Sequence, residues 1–306
     1  MKHFLFFFMD GVGLGENNPQ INPFSRVHLP TLSALLDKNA FVENTAPYSG
    51  QRASLLAIDA RLGIAGLPQS ATGQATLVTG ENIPALIGYH YGPKPNQPIA
   101  SYLRNGNIFD VLNSKRLSSA LINAYPPRYF DAIESGRRIY SAFPMAATSA
   151  GLQLKTIQDL RAGAALAADF TAQGWQEHLG LTDIPILSPH DAGKRLADLA
   201  VNYDFTFFEY WLTDYAGHRQ DMDQAVTLLR LLDKVLESLT QTWNDELGLI
   251  LITSDHGNLE DLSTRRHTLN PVPALLIGSS QLRNKFTENI HSIADIAPAI
   301  INLLTG

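Results

Sequence analysis

The chain's 306 residues are 45% hydrophobic and 17% charged, with a formal net charge of −6 and no cysteine. Such a composition is soluble and globular, and its mild acidity argues against non-specific nucleic-acid binding, which depends on clustered Lys and Arg. Disulfides, thiolate metal sites and a cysteine nucleophile are excluded, whereas a small phosphorylated substrate is not, because bound cations can supply the local positive charge.

At the amino terminus, Met1-Lys2-His3 followed by Phe4-Leu5-Phe6-Phe7-Phe8-Met9 imitates the start of a signal peptide. The run stops at Asp10 with no small-residue cleavage site behind it, and no later stretch approaches the ~18 apolar residues of a membrane span. A soluble, cytoplasmic protein with no membrane partner is expected. A short run that is apolar at every position suits a central parallel strand covered on both faces. It hands over to Asp10-Gly11-Val12-Gly13-Leu14-Gly15. As a dinucleotide fingerprint this fits poorly, because an acidic side chain stands where backbone amides would meet a pyrophosphate and the third glycine is misplaced. A turn presenting Asp10 to a metal fits better.

Residues 30–36 read as a short capped helix and 46–54 as turn-rich. The stretch 66–80 reads as a loop that opens a helix near Ser70, with Gly80 ending it. Helix amino termini favour anions, so a hydroxyl there is well placed to attack a phosphoryl group. Residues 83–106, rich in Pro, Gly, Asn and Tyr, suggest an extended loop or lid. A helix at 107–115, a strand at 118–123, an irregular stretch at 125–155 and helical patches at 156–162 and 164–173 follow, then an amphipathic helix at 190–200. Residues 203–212 form an apolar strand in which Glu209 is the only charge after Asp204. A long helix at 222–243 places Leu228, Leu229, Leu232, Val235 and Leu239 at helical spacing. Strands at 247–252 and 274–277 and a helix at 293–304 complete the chain. Alternating strands and helices predict an α/β fold with a mostly parallel sheet. With no repeat, low-complexity tract or Gly/Ser linker, one domain over 1–306 is expected, with room for a small lid within 83–180. No edge strand or exposed apolar helix stands out to specify an oligomer.

The 247–252 run ends at Thr253-Ser254-Asp255-His256-Gly257-Asn258. In open α/β sheets the ligand crevice lies at the carboxyl ends of strands. Adjacent strand residues face opposite sides, so Asp255 and His256 converge on one ion only if the chain turns, which Gly257 permits. An oxygen donor beside a nitrogen donor suits zinc, manganese or iron. The 203–212 strand is followed by Asp214 and His218, four apart, and His267 lies eleven residues past His256. Together with Asp10 and a Ser70 alkoxide, these donors suffice for two divalent metals a few ångströms apart. Alone, each residue has an ordinary explanation: an aspartate after a strand is a turn or cap residue, and a serine caps a helix. The joint pattern carries the metal reading.

Asp214-x-x-x-His218, Thr253-Ser254-Asp255-His256-Gly257-Asn258 and His267-Thr268-Leu269-Asn270-Pro271-Val272-Pro273 resemble the carboxyl-terminal signature of cofactor-independent phosphoglycerate mutase. That enzyme stands in the alkaline phosphatase superfamily with phosphopentomutase and the sulfatases. Asp10-Gly11-Val12-Gly13 is similar to its first metal-binding turn, so the resemblance covers roughly 1–80 and 190–306. It implies a doubly wound, alkaline-phosphatase-like core and two metal ions, zinc or manganese. One ion would take Asp214, His218 and His267, the other Asp10, Ser70, Asp255 and His256. The family's nucleophile lies three residues before a glycine, which points to Ser70, three before Gly73, with Thr72 the other hydroxyl of that loop.

Two departures bear on function. The mutase pattern Asn-Ser-Glu-Val-Gly-His is here Gln69-Ser70-Ala71-Thr72-Gly73-Gln74, without its acidic and imidazole side chains, and only a small lid fits between Ser70 and Asp214. Both favour hydrolysis. The expected activity is therefore a two-metal phosphatase or phosphodiesterase acting through a phosphoserine. A phosphomutase is the alternative, and a non-catalytic metal-stabilised binding protein a third reading. Arg52, His90, Lys94, Arg128, Arg137 and Arg138 are candidate substrate contacts, but each is better explained as an ordinary surface cation and stays outside the catalytic set.

Overall fold

The first apolar run becomes an interior strand of the sheet. In the computed structural model, which describes residues 1–306, β1 (His3–Met9) sends Phe4, Phe6 and Phe8 to one face of the sheet and Leu5, Phe7 and Met9 to the other. Period-two alternation in a strand whose one polar member is its first residue, His3, requires cover on both sides. Six more strands join it: β2 (Tyr48–Ser49), β3 (Ala53–Ile58), β4 (Ser119–Leu121), β5 (Phe205–Tyr210), β6 (Gly248–Thr253) and β7 (Val272–Ile277). Their order is β2-β3-β7-β6-β1-β5-β4. β1 pairs in parallel with β5 and β6, and β4 in parallel with β5, so the residues that follow β1, β5 and β6 emerge at one edge.

Helices Ser70–Thr79, Gln97–Arg104, Ile108–Ser114, Ala142–Ser149 and Ile296–Thr305 cover the face of Phe4, Phe6 and Phe8. Helices Pro30–Leu35, Pro189–Ala200 and Met222–Thr242 cover the other. Aromatic rings lock the centre: Phe6 and Phe207 sit 4.6 Å apart, and Phe8 meets Phe143 edge-on at 4.6 Å. The fold is thus the expected α/β sheet flanked by helices, but it is mixed. β7 runs antiparallel to β6, and β2 and β3 add further antiparallel pairings. The cause is the connection after β6. Residues 254–271 contain no crossover helix, and without one a chain can return only as an antiparallel neighbour.

Several local expectations are corrected. β3 begins inside the stretch read as turn-rich. Residues 83–106 are not one extended loop: Ile83–Ile87 and Gln97–Arg104 are helical, and Ile99 and Leu103 are fully buried in the core. The irregular stretch 125–155 holds helices Pro127–Glu134 and Ala142–Ser149, whereas 164–173 holds none and the helix starts at Gln173. A small satellite core of Ala124, Ile157, Leu160, Trp175 and Ile184 closes over the end of β4, and it is the nearest thing to a lid.

Candidate metal centre

Every sequence-selected donor reaches the same edge of the sheet. Asp10 directly follows β1, and its amide donates to Tyr210 O at 3.0 Å. Asp214 and His218 share one face of the helix Leu212–Arg219, with His218 Nε2 3.2 Å from Asp214 Oδ2. Asp255 and His256 follow β6, and His267 arrives from the β6–β7 connection. Ser70 is the first residue of its helix, which Gly80 ends in the left-handed region at φ +74°.

Two donor groups result. Asp10, Asp255 and His256 form one, with His256 Nε2 3.5 Å from an oxygen of each carboxylate and 3.1 Å from Ser70 Oγ. In the other, His267 Nε2 lies 3.8 Å from Asp214 Oδ1 and 3.4 Å from His218 Nε2. The rings of His256 and His267 stack 3.7 Å apart, so His256 borders both groups. Thr72, the other hydroxyl, is spent on backbone: its Oγ1 donates to Gln69 O at 3.0 Å and accepts from Tyr91 N at 3.2 Å.

The histidines are oriented from behind. Nδ1 of His267 faces Pro68 O at 2.7 Å, that of His218 faces Arg265 O at 2.8 Å, and that of His256 faces Gly257 O at 3.4 Å. A proton held at Nδ1 by a carbonyl leaves the Nε2 lone pair free, which is how metal-binding imidazoles are usually set. Asn258 Nδ2 donates to Asp214 Oδ1 at 2.7 Å and fixes that carboxylate. Ser254 Oγ accepts from Val12 N at 2.9 Å and donates to His256 O at 3.0 Å, tying the turn after β1 to the turn after β6.

Sequence reasoning missed the group that knits these loops together. Glu260 is 1% exposed. Its Oε2 accepts from Gly13 N and Asn258 N at 2.8 Å each, and its Oε1 accepts from Thr268 Oγ1 and from Asn270 Nδ2 at 3.1 Å. Gly13 and Gly15 are explained by this contact rather than by a phosphate, whereas Gly11 has φ +64° and packs against Asp214. A Cβ at Gly13 or Gly257 would collide with Glu260, and one at Gly15 would lie 2.8 Å from its Cγ. Gly257 therefore serves close approach, not a left-handed turn. Gly73 plays the same part for the Ser70 helix, since a Cβ there would lie 2.8 Å from Asp255 O. The one signal in the sequence was the density of glycine near both carboxylates, because Glu260 itself reads as an ordinary loop acid.

The electrostatics of the site favour a cation. Burial, then the charges of Asp255 and Asp214, push Asp10 well above the usual carboxylate range. Burial and then Asp214 push Asp255 to about 7, and burial with Asp255 raises Glu209 to about 7. Asp214 goes the other way: burial opposes it, but the hydrogen bond with His218, the charge of His256 and the amide of Asn258 hold it well below the ordinary value. Burial, then His256, lowers His267 to about 4. Asp10 Oδ1 and Asp255 Oδ2 are buried with no hydrogen-bond partner. Orphaned carboxylate oxygens beside inward-facing imidazole nitrogens cost several kcal/mol unless a cation joins them. The donor set fits divalent metal.

The candidate substrate cations divide. Arg52 is withdrawn from the site: it pairs with Asp245 at 2.5 Å, before the amino ends of β3 and β6 and so at the opposite edge of the sheet. Arg137 bonds Ser135 Oγ at 2.8 Å in its own turn, and His90 packs near Gly66. Lys94, Arg128 and Arg138 line a cleft of about 980 Å³ beside the centre.

Residues 187–305 match the sequence model of the Metalloenzyme superfamily. Over 129 residues the chain is 32% identical to a 2,3-bisphosphoglycerate-independent phosphoglycerate mutase from Antithamnion sp., a match covering 39% of this chain and 25% of that one. The chain thus spans about a quarter of the length of the curated relatives it matches. Among solved structures, a Pyrococcus horikoshii protein aligns with TM-score 0.59 and 14% identity over 99% of this chain and 96% of its own. Alkaline phosphatase from the Antarctic bacterium TAB5 aligns with TM-score 0.51 and 12% identity over 99% and 97%. At these identities the likeness is one of fold.

Proposed function

We propose that this metalloenzyme, with an alkaline-phosphatase-like fold and a resemblance to cofactor-independent phosphoglycerate mutase, is a two-metal phosphoester hydrolase acting through a phosphoserine at Ser70. The observation that carries the proposal is the placement of Ser70 Oγ, 3.1 Å from His256 Nε2 in a cluster whose carboxylates include unpartnered buried oxygens. One divalent ion, zinc or manganese, would be held by Asp10, Ser70, Asp255 and His256, and another by Asp214, His218 and His267. Bound there, such ions lower the pKa of a hydroxyl and neutralise charge on phosphoryl and leaving oxygens.

The chain's own residues do the rest. The Ser70 oxygen, having lost its proton, attacks phosphorus and the bond to the alcohol oxygen breaks, the alcohol leaving with a proton. Water then cleaves phosphoserine to give free serine and phosphate. The helix beginning at Ser70 has no side-chain cap, since Gln69 makes no capping bond; the Thr72 amide donates to Tyr91 O at 3.0 Å, and the Ser70 and Ala71 amides ahead of it are the ones available to phosphoryl oxygens. Hydrolysis is preferred over transfer because Gln74, 3.4 Å from Asp10 Oδ2, stands where the mutase pattern has histidine, and the satellite core around Trp175 is small. The mutase reading is favoured by the relatives' names alone.

The test is p-nitrophenol release from the phosphate monoester and diester by stripped protein given zinc, manganese or magnesium. Metal-dependent turnover abolished in Ser70→Ala supports hydrolysis. If neither ester is turned over by protein that binds two ions, the mutase reading replaces it. If Ser70→Ala alters nothing measurable while metal still stabilises the fold, the protein is a binding module.

A further inference from the structure

No metal donor lines the cleft of about 980 Å³, but its walls adjoin the metal centre at two places. Tyr210, in its wall, accepts the Asp10 amide at 3.0 Å. From the other side, Tyr91 O accepts Thr72 N at 3.0 Å and Gly92 runs against the Ser70 amide, after which Pro93 and Lys94 enter the wall. A phosphoryl group at Ser70 would therefore carry its alcohol half into this space.

The wall has a definite chemistry. Trp211, 45% exposed, offers an indole to the cleft, and Trp175, buried in the satellite core, closes the wall. The Tyr125 and Tyr129 rings lie 4.6 Å apart, tilted by 33°, with the Arg138 guanidinium 4.7 Å from the Tyr129 ring. The Tyr125 hydroxyl is buried and bonds nothing in the protein. Asn123 takes both backbone groups of Glu209, donating to its carbonyl at 2.8 Å and accepting its amide at 2.7 Å. That clamp leaves the Glu209 side chain, 9% exposed, facing the cleft without a protein donor.

Size excludes a three-carbon acid as a matched occupant, since pockets of ~300–1,000 Å³ enclose drug-sized ligands. Aromatic faces stack planar heterocycles, a buried carboxylate accepts hydroxyls, and a lone phenol donates to an acceptor. A base, a ribose diol and a phosphate in one molecule satisfy all of these. We propose that the cleft binds the nucleoside half of a nucleotide phosphoester, with Trp211, Tyr125 and Glu209 selecting it. The proposal rests on the hydrolase reading for its reaction and on the cleft alone for its binding.

Both can be tested separately with the metal-loaded full chain. Calorimetric titration with adenosine, which has nothing to hydrolyse, reads the cleft. Specificity is read as kcat/KM for adenosine 5′-monophosphate against ribose 5-phosphate, 3-phosphoglycerate and p-nitrophenyl phosphate. The expected result is saturable adenosine binding and a preference for the nucleotide of about tenfold or more, with Trp211→Ala, an exposed position, reducing that ratio about tenfold. Tyr125→Phe, which keeps the ring, should lower it in the same direction. Turnover of p-nitrophenyl phosphate with no nucleoside binding and no nucleotide preference overturns the cleft assignment and leaves the hydrolase intact. A higher kcat/KM for ribose 5-phosphate than for the nucleotide also overturns it, in favour of a sugar. Adenosine binding lost in Trp211→Ala, with no ester hydrolysed, supports the cleft and overturns the hydrolase.

Discussion

Glu260→Gln isolates the contribution of the carboxylate that ties the ligand loops together. In the native protein Oε2 meets two N–H donors at 2.8 Å and Oε1 meets Thr268 Oγ1 and Asn270 Nδ2. An amide of the same shape must turn its NH₂ toward one of these pairs. Facing Gly13 N and Asn258 N, it opposes two donors; facing the other pair, Thr268 can rotate to accept but Asn270 Nδ2 is left opposing it. The better orientation loses one charge-assisted bond outright and weakens the rest, and bonds to charged groups are worth about 1.5–3 kcal/mol each. A loss of about 2–4 kcal/mol in unfolding free energy is expected, with Glu260→Ala losing more because all four donors are orphaned and a cavity forms. Urea unfolding of the zinc-loaded and stripped protein measures it. Metal affinity should fall as well, because Glu260 joins the turn after Asp10 to the segments carrying His256 and His267. The reasoning fails if Glu260→Gln shifts stability by less than about 0.5 kcal/mol, the range of neutral surface changes.

Gly73→Ala should cut turnover at least about tenfold and cost about 1–3 kcal/mol, because its Cβ would press on Asp255 O and displace the start of the Ser70 helix; wild-type kinetics in this variant would refute the contact. The Asp255 carboxyl, raised from 3.8 to about 7, holds its proton in the metal-free folded protein, so its stabilising contribution is complete below the unfolded pKa and is lost as pH rises through about 7. Metal must displace that proton and the one held by Asp10, also raised well above its ordinary value, so zinc affinity measured by chelator competition should climb at least about tenfold per unit from about pH 5.5 to 7. His267, lowered to about 4, adds no slope in that window. A flat profile would contradict it. Chelation should lower the unfolding midpoint by several degrees, more at pH 8 than at pH 6, since more of the repelling carboxylates are then ionised. Arg52→Ala should leave kcat and KM unchanged and cost no more than about 1 kcal/mol, as its partly exposed pair with Asp245 is at the far edge.

The sequence made strands and ligands legible where chemistry repeats. Phe4–Met9, Phe205–Tyr210 and Gly248–Thr253 are apolar at nearly every position, so each is an interior strand under any topology, and the acids and histidines behind them had to meet at one edge once those strands ran parallel. β3 was illegible because Ala53–Ile58 is short, sits at the sheet's side and follows turn residues. The helix Gln97–Arg104 was hidden because its buried stripe of Ile99, Ala100 and Leu103 spans little more than one turn between Pro- and Asn-rich flanks. Glu260 and Asn258 could not be read at all. Their roles depend on which backbone amides and carboxylates the fold brings to them, and no local spacing encodes that.

This division has a consequence for how substrate choice is built. The proposed metal ligands come from Asp10, Ser70 and the stretch from Asp214 to His267, held by strand ends, glycine contacts and buried hydrogen bonds. Much of the cleft comes instead from 123–141 and 168–179, outside the residues that match the Metalloenzyme superfamily. Glu209 to Leu212, together with Gln224, Thr227, Leu228 and Leu231 of the helix Met222–Thr242, belong to both the cleft and the matched segment. A change in the 123–141 or 168–179 walls can therefore alter the alcohol half of the ester without moving a metal donor, whereas a change at Glu209 acts on both, through its charge on Asp255 and its face on the cleft. Glu209→Gln should accordingly differ in kind from Tyr125→Phe: it should alter zinc affinity as well as substrate preference. Unchanged zinc affinity in Glu209→Gln, measured beside Tyr125→Phe, would show that the cleft and the metal centre are electrostatically separate.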